Sequence, residues 1–333
     1  MSKVYFPNLN GLRFFAALSV MIYHFYGKEV LYGHYGVILF FVLSGFLITY
    51  LLLEEKEIKG KIEIRKFYIR RILRIWPLYF TILLIATIVY FFEHTNSDIY
   101  LEAIPYYLFF APNIAFVLHI SLKYAGILWS VGSEEQFYLI WPCIAKKIQK
   151  KKFLILLITI IFLWTMAPYF IDYINYNYLS SKESLFILSK TISRTGFAAM
   201  ATGSTIACLF KIKPKIVNII LNNYIHVTAI IGIIGIWVFD ILTHSPATDE
   251  LFSVLFIIVV ANYALNPNVI LKLENKVLNY LGKISFGLYV FHLISFDLVK
   301  YFNLVINKNI SFFLGVITTI IISTVSYYLI EVP

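Results

Sequence analysis

Eight side chains stand where a hydrophobic sequence has little use for them: Arg13, His24, Arg71, Arg74, Glu134, Glu135, Arg194 and His292. Each lies in or beside a long apolar run, and a charged group at mid-bilayer costs about 2.5–3.5 kcal/mol on insertion scales. Between them they cover three chemical tasks. An imidazole moves protons near neutral pH, with a free pKa of about 6.5. Guanidinium forks match phosphate oxygens. A carboxylate can hold an imidazole in one tautomer and stabilise its protonated form.

Spacing sharpens these tasks and leaves alternatives open. Arg13 and His24 enclose the uncharged stretch FFAALSVMIY. On a helix they are about 16 Å apart along the axis and share a face, since eleven residues make three turns plus about 20°. An arginine snorkelling to headgroups and a satisfied interface histidine would look the same. Arg70, Arg71 and Arg74 lie in RKFYIRRILRIWP (65–77), with Arg71 and Arg74 on one face at i, i+3. This reads either as topological positive charge or as an anion site. WSVGSEEQFYLIWP (129–142) puts Glu134 and Glu135 side by side in an apolar helix with no nearby Lys or Arg. Their directions diverge by about 100°, so at most one turns to a cavity shared with His24. Arg194 opens a stretch of small residues, RTGFAAMATGS, that permits close helix approach, and could neutralise a glutamate. His292, in GKISFGLYVFHL (282–293), also reads as a core histidine, and Glu331 as a paired helix end.

The elements that must position these groups follow from composition. Of 333 residues, 60% are hydrophobic, 18% aromatic and only 14% charged, with a mean hydropathy of +0.80, the balance of a polytopic membrane protein. Runs such as GVILFFVLSGFLITYLLL (36–53) are long enough to cross a hydrocarbon core of roughly 30 Å. The expectation is an all-α transmembrane bundle of about ten spans. They fall roughly at 12–27, 36–53, 75–92, 127–145, 153–170, 186–210, 223–242, 251–270, 279–299 and 311–330. The basic segments 54–74, 146–152, 211–215 and 272–276 share one side, and the positive-inside rule makes that side, with both termini, cytoplasmic. Segment 105–123, interrupted by Pro112 and Asn113, reads as a re-entrant or interfacial element. No cleavable signal, internal repeat or separate soluble domain is evident, so 1–333 reads as one integral-membrane domain.

The net charge of +10 sits between spans and not on one soluble face, which argues against nucleic acid as a partner. Cys143 and Cys208 lack metal-ligand spacing and read as packing residues, with neither a disulfide nor a metal expected. On this topology Arg13, Arg71, Arg74 and Glu331 lie at the cytoplasmic side. His24, Glu134, Arg194 and His292 lie in the outer half, and the two tiers suggest a path across the membrane.

Taken in order, NLNGLRFFAALSVMIYH, YGVILFFVLSGFLIT, FYIRRILRIWPLY, LWSVGSEEQFYLIWP, ISRTGFAAMATGS, LGKISFGLYVFH and a closing EVP resemble the bacterial acyltransferase family 3 over essentially the whole chain. These are integral-membrane enzymes that O-acylate cell-surface polysaccharides, lipopolysaccharide O-antigen, peptidoglycan and other acceptors. The resemblance implies a multi-pass protein of the bacterial inner or plasma membrane. The implied donor is acyl-CoA, usually acetyl-CoA, used from the cytoplasmic side, and the acceptor is a hydroxyl of a polysaccharide or lipid-linked glycan beyond the outer side. The family's Arg-x10-His pair falls on Arg13 and His24, its Arg-x2-Arg pair on Arg71 and Arg74, and its acidic residue on Glu134. Ser133 and Val131 depart from the family's small apolar residue and leucine without removing a chemical group.

That reading assigns coenzyme A phosphates to Arg13, Arg71 and Arg74, and the thioester to the neighbourhood of His24. His24 becomes a general base oriented by Glu134, or a nucleophile carrying the acyl group. Some relatives carry a fused periplasmic esterase-like domain and a short basic tail after the last span. Neither is found before Pro333, so direct transfer or a separate extracytoplasmic acyltransferase is expected. The rival class is a transporter or flippase of a lipid-linked glycan or small molecule, for which buried Arg, Glu and His would line a path.

Overall fold

Within lipid a segment must satisfy its own backbone N–H and C=O groups, and an apolar run does so by forming a helix. The computed structural model describes residues 5–27, 33–93, 97–179, 182–212, 214–238, 245–302 and 307–331, and all regular structure among them is helical. In chain order the helices are α1 (Pro7–Tyr26), α2 (His34–Lys59), α3 (Ile64–Phe92), α4 (Ser97–Leu108), α5 (Pro112–Val117), α6 (Leu128–Lys147), α7 (Lys150–Tyr178) and α8 (Glu183–Ser193). They continue with α9 (Phe197–Ile212), α10 (Pro214–Ile220), α11 (Asn223–Val238), α12 (Pro246–Leu265), α13 (Lys276–Lys283), α14 (Ser285–Tyr301) and α15 (Lys308–Ser326), which runs into a π-helical turn at Tyr327–Glu331.

Among the described residues six stretches are long and apolar enough to cross a membrane: α2, α3, α7, α8 with α9, α12, and α15 with its π-helical turn. The pair α13 and α14, bent by 70°, makes a seventh if it counts as one span. Polar caps close several ends. The Ser245 hydroxyl accepts from the Thr248 N–H ahead of Pro246, and the Asn275 and Asn307 side chains accept from the N–H groups of Leu278 and Ile310.

Three expectations need correction. The basic segment 54–74 is not a loop: α2 runs to Lys59, Gly60 turns the chain at φ 69°, and α3 begins at Ile64, so all three arginines of the cluster are helical. The span expected at 186–210 is broken at Arg194–Gly196, where Gly196 takes φ 63°, so Arg194 caps α8 instead of lying inside a continuous helix. The span expected at 279–299 bends after Lys283. Segment 105–123 contains the end of α4 and all of α5, joined through Phe110 at φ 55°. Of the expected 223–242 span, residues beyond Val238 lie outside the described residues.

The chain divides into two compact units. The first comprises Met1–Leu9, Ile38–Ile64 and Ser130–Lys272. Its centre is a close crossing of α2 and α9, where Gly45 meets the Met200 backbone and Gly203 meets the Val42 backbone. Around this crossing the buried Thr49 and Ser204 hydroxyls bond at 2.8 Å, and the Trp141 indole N–H donates to Thr49 Oγ1 at 2.7 Å. Lys56 donates to the carbonyls of Ala145, Lys146 and Ile148, satisfying the C-terminal end of α6. Lys211 pairs with Glu54 and Glu57. Part of the basic excess therefore ties helices together.

The second unit comprises Asn10–Val37, Arg65–Trp129 and Leu273–Pro333. Gly282 packs on the Asn10 backbone and Gly11 on Leu273, which fixes the first half of α1. Toward its other end Met21, Phe25 and Tyr26 pack with Phe296 and Phe312 of α14 and α15. Those two helices meet where Gly287 faces Ser323 and Gly315 faces Phe296. The Tyr79 hydroxyl donates to the Tyr107 carbonyl, and the Tyr107 hydroxyl accepts from the Leu122 N–H, holding α4 to α3 and to the segment after α5.

Gly203→Val should cost at least the 1–3 kcal/mol typical of overpacking, because a Cβ there would lie 2.1 Å from the Val42 carbonyl oxygen. Gly235→Ala, on α11 with nothing within 4 Å of the new methyl, should leave stability equal or higher. Melting temperatures of the two purified variants in one detergent check this contrast, and equal values would contradict it.

Candidate functional site

One continuous helix, α1, carries both Arg13 and His24, so their separation of about 16 Å is set by helical rise. The Arg13 guanidinium donates to Asn10 Oδ1 at 3.4 Å, and the Asn10 amide donates to Asn279 Oδ1 at 3.1 Å, linking this end of α1 to α13. At the other end, His24 Nδ1 lies 2.7 Å from His292 Nε2, with the two ring centroids 4.8 Å apart and the ring planes inclined by 20°.

The hydrogens of this pair can be placed by elimination. His292 Nδ1 lies 2.6 Å from the carbonyl oxygen of Tyr289. A carbonyl can only accept, so His292 Nδ1 carries a hydrogen. For two neutral imidazoles this leaves the lone pair on His292 Nε2, which must accept, and His24 Nδ1 must donate to it. His24 Nε2 is then the basic nitrogen. The sequence Tyr289 C=O, His292, His24 is thus a run of hydrogen bonds anchored on the backbone. His292 is fully buried, whereas His24 is exposed on a cavity of about 280 Å³.

Arg71 and Arg74 lie near the start of α3, in the same unit as α1 and α14. Arg71 is half-buried with its guanidinium carbon 5.6 Å from the centre of the Phe67 ring; Arg74 is exposed and interacts electrostatically with Glu331. Arg13, His24, Arg71, Arg74 and His292 therefore belong to one compact unit.

Glu134, Glu135 and Arg194 belong to the other. Both oxygens of Glu134 accept from hydroxyls: Oε1 from Ser44 at 2.9 Å and Oε2 from Tyr138 at 2.6 Å. Glu135 is half-buried one position along α6. The Arg194 carbonyl accepts from the Ser133 hydroxyl at 3.0 Å, tying the break between α8 and α9 to α6. Of the cysteines, Cys208 is buried, but Cys143 is exposed and so is not the packing residue expected. Among the described residues no group of three or more His, Cys, Asp and Glu could hold a metal.

Sequence reasoning missed the Tyr289 carbonyl, Ser44 and the polar lining of the His24 cavity. Only Tyr138 left a signal, four residues after Glu134 on one helix face.

Native protein treated with diethylpyrocarbonate should be modified at His24 and spared at His292, with the latter reacting only after unfolding. Peptide mass mapping checks this, and modification of His292 in the folded protein would contradict the geometry.

A family model described as an acyltransferase domain matches residues 6–328. A presumptive O-acetyltransferase of Staphylococcus aureus (strain COL) is 31% identical over 99% of this chain and 57% of its own length. The peptidoglycan O-acetyltransferase OatA of Listeria monocytogenes is 36% identical over 42% of this chain and 24% of its own. The presumptive peptidoglycan O-acetyltransferase YrhL of Bacillus subtilis (strain 168) is 38% identical over 41% and 23%. The chain spans little more than half the length of the staphylococcal relative. No solved structure matches it. The chain belongs to acyltransferase family 3.

Proposed function

We propose, with membership of that family as the premise, that the protein is a membrane-bound O-acyltransferase moving an acetyl group from acetyl-CoA to a hydroxyl of a cell-surface glycan. The observation that carries this reading is the hydrogen-bond sequence from Tyr289 through His292 to His24, which leaves His24 Nε2 as a base on a cavity. In this reading α1, α6 and α11 also cross the bacterial cell membrane, giving ten spans with both termini cytoplasmic. Arg13, Arg71 and Arg74 then meet the coenzyme A phosphates at the cytoplasmic side, and the pantetheine arm spans the distance along α1 to His24. The relatives named for peptidoglycan make a peptidoglycan sugar the first acceptor to test, and a separate extracytoplasmic acyltransferase is the alternative recipient.

The chemistry asked of the residues is limited. His24 Nε2 takes the proton of the attacking hydroxyl as its oxygen bonds to the thioester carbon. The C–S bond then breaks, and the leaving thiolate takes that proton back from His24 Nε2, so coenzyme A departs as the free thiol and His24 returns to its neutral form. His24 Nδ1 keeps its hydrogen bond to His292 throughout, so the ring does not turn between steps. Glu134 is the carboxylate that the family pattern marks, held by Ser44 and Tyr138.

His24→Ala should lower acetyl-CoA turnover by about 10²–10⁴-fold with normal membrane insertion and erase the O-acetyl groups that the protein adds to surface glycans, read by mass spectrometry. Undiminished acetylation would sink the proposal, and glycan movement without donor consumption would favour a transporter. Arg71→Ala and Arg74→Ala should raise the KM for acetyl-CoA more than they lower kcat; unchanged donor affinity would remove the phosphate role.

A further inference from the structure

The cavity that His24 borders has a charge pattern that proton transfer does not require. Among the described residues its rim carries Lys123, Lys300 and Lys308, with Tyr124 and a single carboxylate, Asp297. That carboxylate is already engaged: Oδ2 accepts from the Tyr124 hydroxyl at 2.8 Å, and Oδ1 lies 3.6 Å from the Lys300 ammonium. Lys123 pairs with Glu93, which lies outside the lining, and this hydrogen bond raises its pKa and keeps it cationic. Lys308 is placed by the face of Tyr26, 5.2 Å from its ring centre, while the Tyr26 hydroxyl donates to Asn309. Among the described residues three ammonium groups face one lining carboxylate, and even with Glu93 counted an excess of one positive charge remains.

Two further observations separate this cluster from ordinary surface charge. Tyr124 adopts φ 60°, a conformation its side chain rarely takes and one that persists only where surroundings impose it. The lysines also lie, on the proposed topology, at the side that positive-inside bias leaves poor in basic residues.

We infer that this cavity is the acceptor subsite and that the acceptor is an acidic sugar, whose anionic group is held by Lys300 and Lys308 while its hydroxyl is presented to His24. Charge-assisted contacts of this kind select position as well as charge. The inference rests on His24 being the base, and it adds the chemical class of the acceptor.

The test uses the full chain in nanodiscs of phosphatidylcholine and reads protection of His24 from diethylpyrocarbonate, which needs no turnover. The probes are a short galacturonic acid oligosaccharide and its methyl ester, which differ in charge and not in their hydroxyls. The acid should protect at a concentration about tenfold lower than the ester, the scale of one or two charge-assisted contacts. Lys300→Gln with Lys308→Gln should bring the two probes within about a factor of two. Equal protection in the unaltered protein, or a preference for the acid that survives both substitutions, overturns the inference. Lysine-dependent protection by phosphatidylglycerol nanodiscs with no sugar added also overturns it, by making a lipid headgroup the ligand. Loss of the His24 base reading would appear separately, as unchanged acetyl-CoA turnover in His24→Ala.

Discussion

The carbonyl oxygen of Tyr289 accepts hydrogen bonds and cannot donate them, and the arrangement of the candidate site follows from that one constraint. It assigns a hydrogen to His292 Nδ1, the His292 Nε2 lone pair to the His24 hydrogen, and the remaining His24 lone pair to Nε2. A backbone group is a stable anchor because it cannot change charge or rotamer. The geometry is held to hydrogen-bond tolerance by the packing of α14. Its Gly287 lies against Ser323, its Phe296 against Gly315, and the Tyr289 hydroxyl reaches the Ile127 carbonyl at 2.9 Å. The glycine contacts at Gly11 and Gly282 set the opposite end of α1. Two helices far apart in sequence are thereby brought to the 2.7 Å that the imidazole pair needs.

Burial forces each charged group to account for itself, and the accounts differ. Lys56 serves three carbonyls at a helix end, and Lys211 serves two glutamates, so these are supports. Glu134 accepts from two hydroxyls, one on its own helix and one on α2. The lysines around the His24 cavity have fewer neighbours to serve than charge to offer.

Helical class and apolar spans were legible because lipid imposes a strong, one-dimensional signal on composition. The candidates among polar residues were legible for the same reason, as exceptions to it. Pairings were not. His24 and His292 are separated by 268 positions, and nothing local distinguishes His292 from a core histidine. Glu134 was expected to orient His24, and the structure places His24 Nδ1 against His292. Backbone acceptors such as the Tyr289 carbonyl carry no sequence signature at all. The break at Arg194–Gly196 was hidden because hydropathy averages across it, while the basic segment before α3 looked like a loop because charge was read as disorder of structure when it was only exposure.

The single unbroken helix from Pro7 to Tyr26 carries a further implication for how this protein can vary. An exposed side chain between Arg13 and His24, such as Phe15, can be exchanged without moving either end, whereas the buried Ala17 and Met21 are fixed in size by their packing. One residue gained or lost between them rotates one end against the other by about 100° and shifts it by about 1.5 Å. Because both ends of α1 are seated, at Gly282 and at the His292 ring, neither rotation nor shift can be absorbed there. The segment is tolerant of spelling only on its exposed face, and intolerant of length throughout.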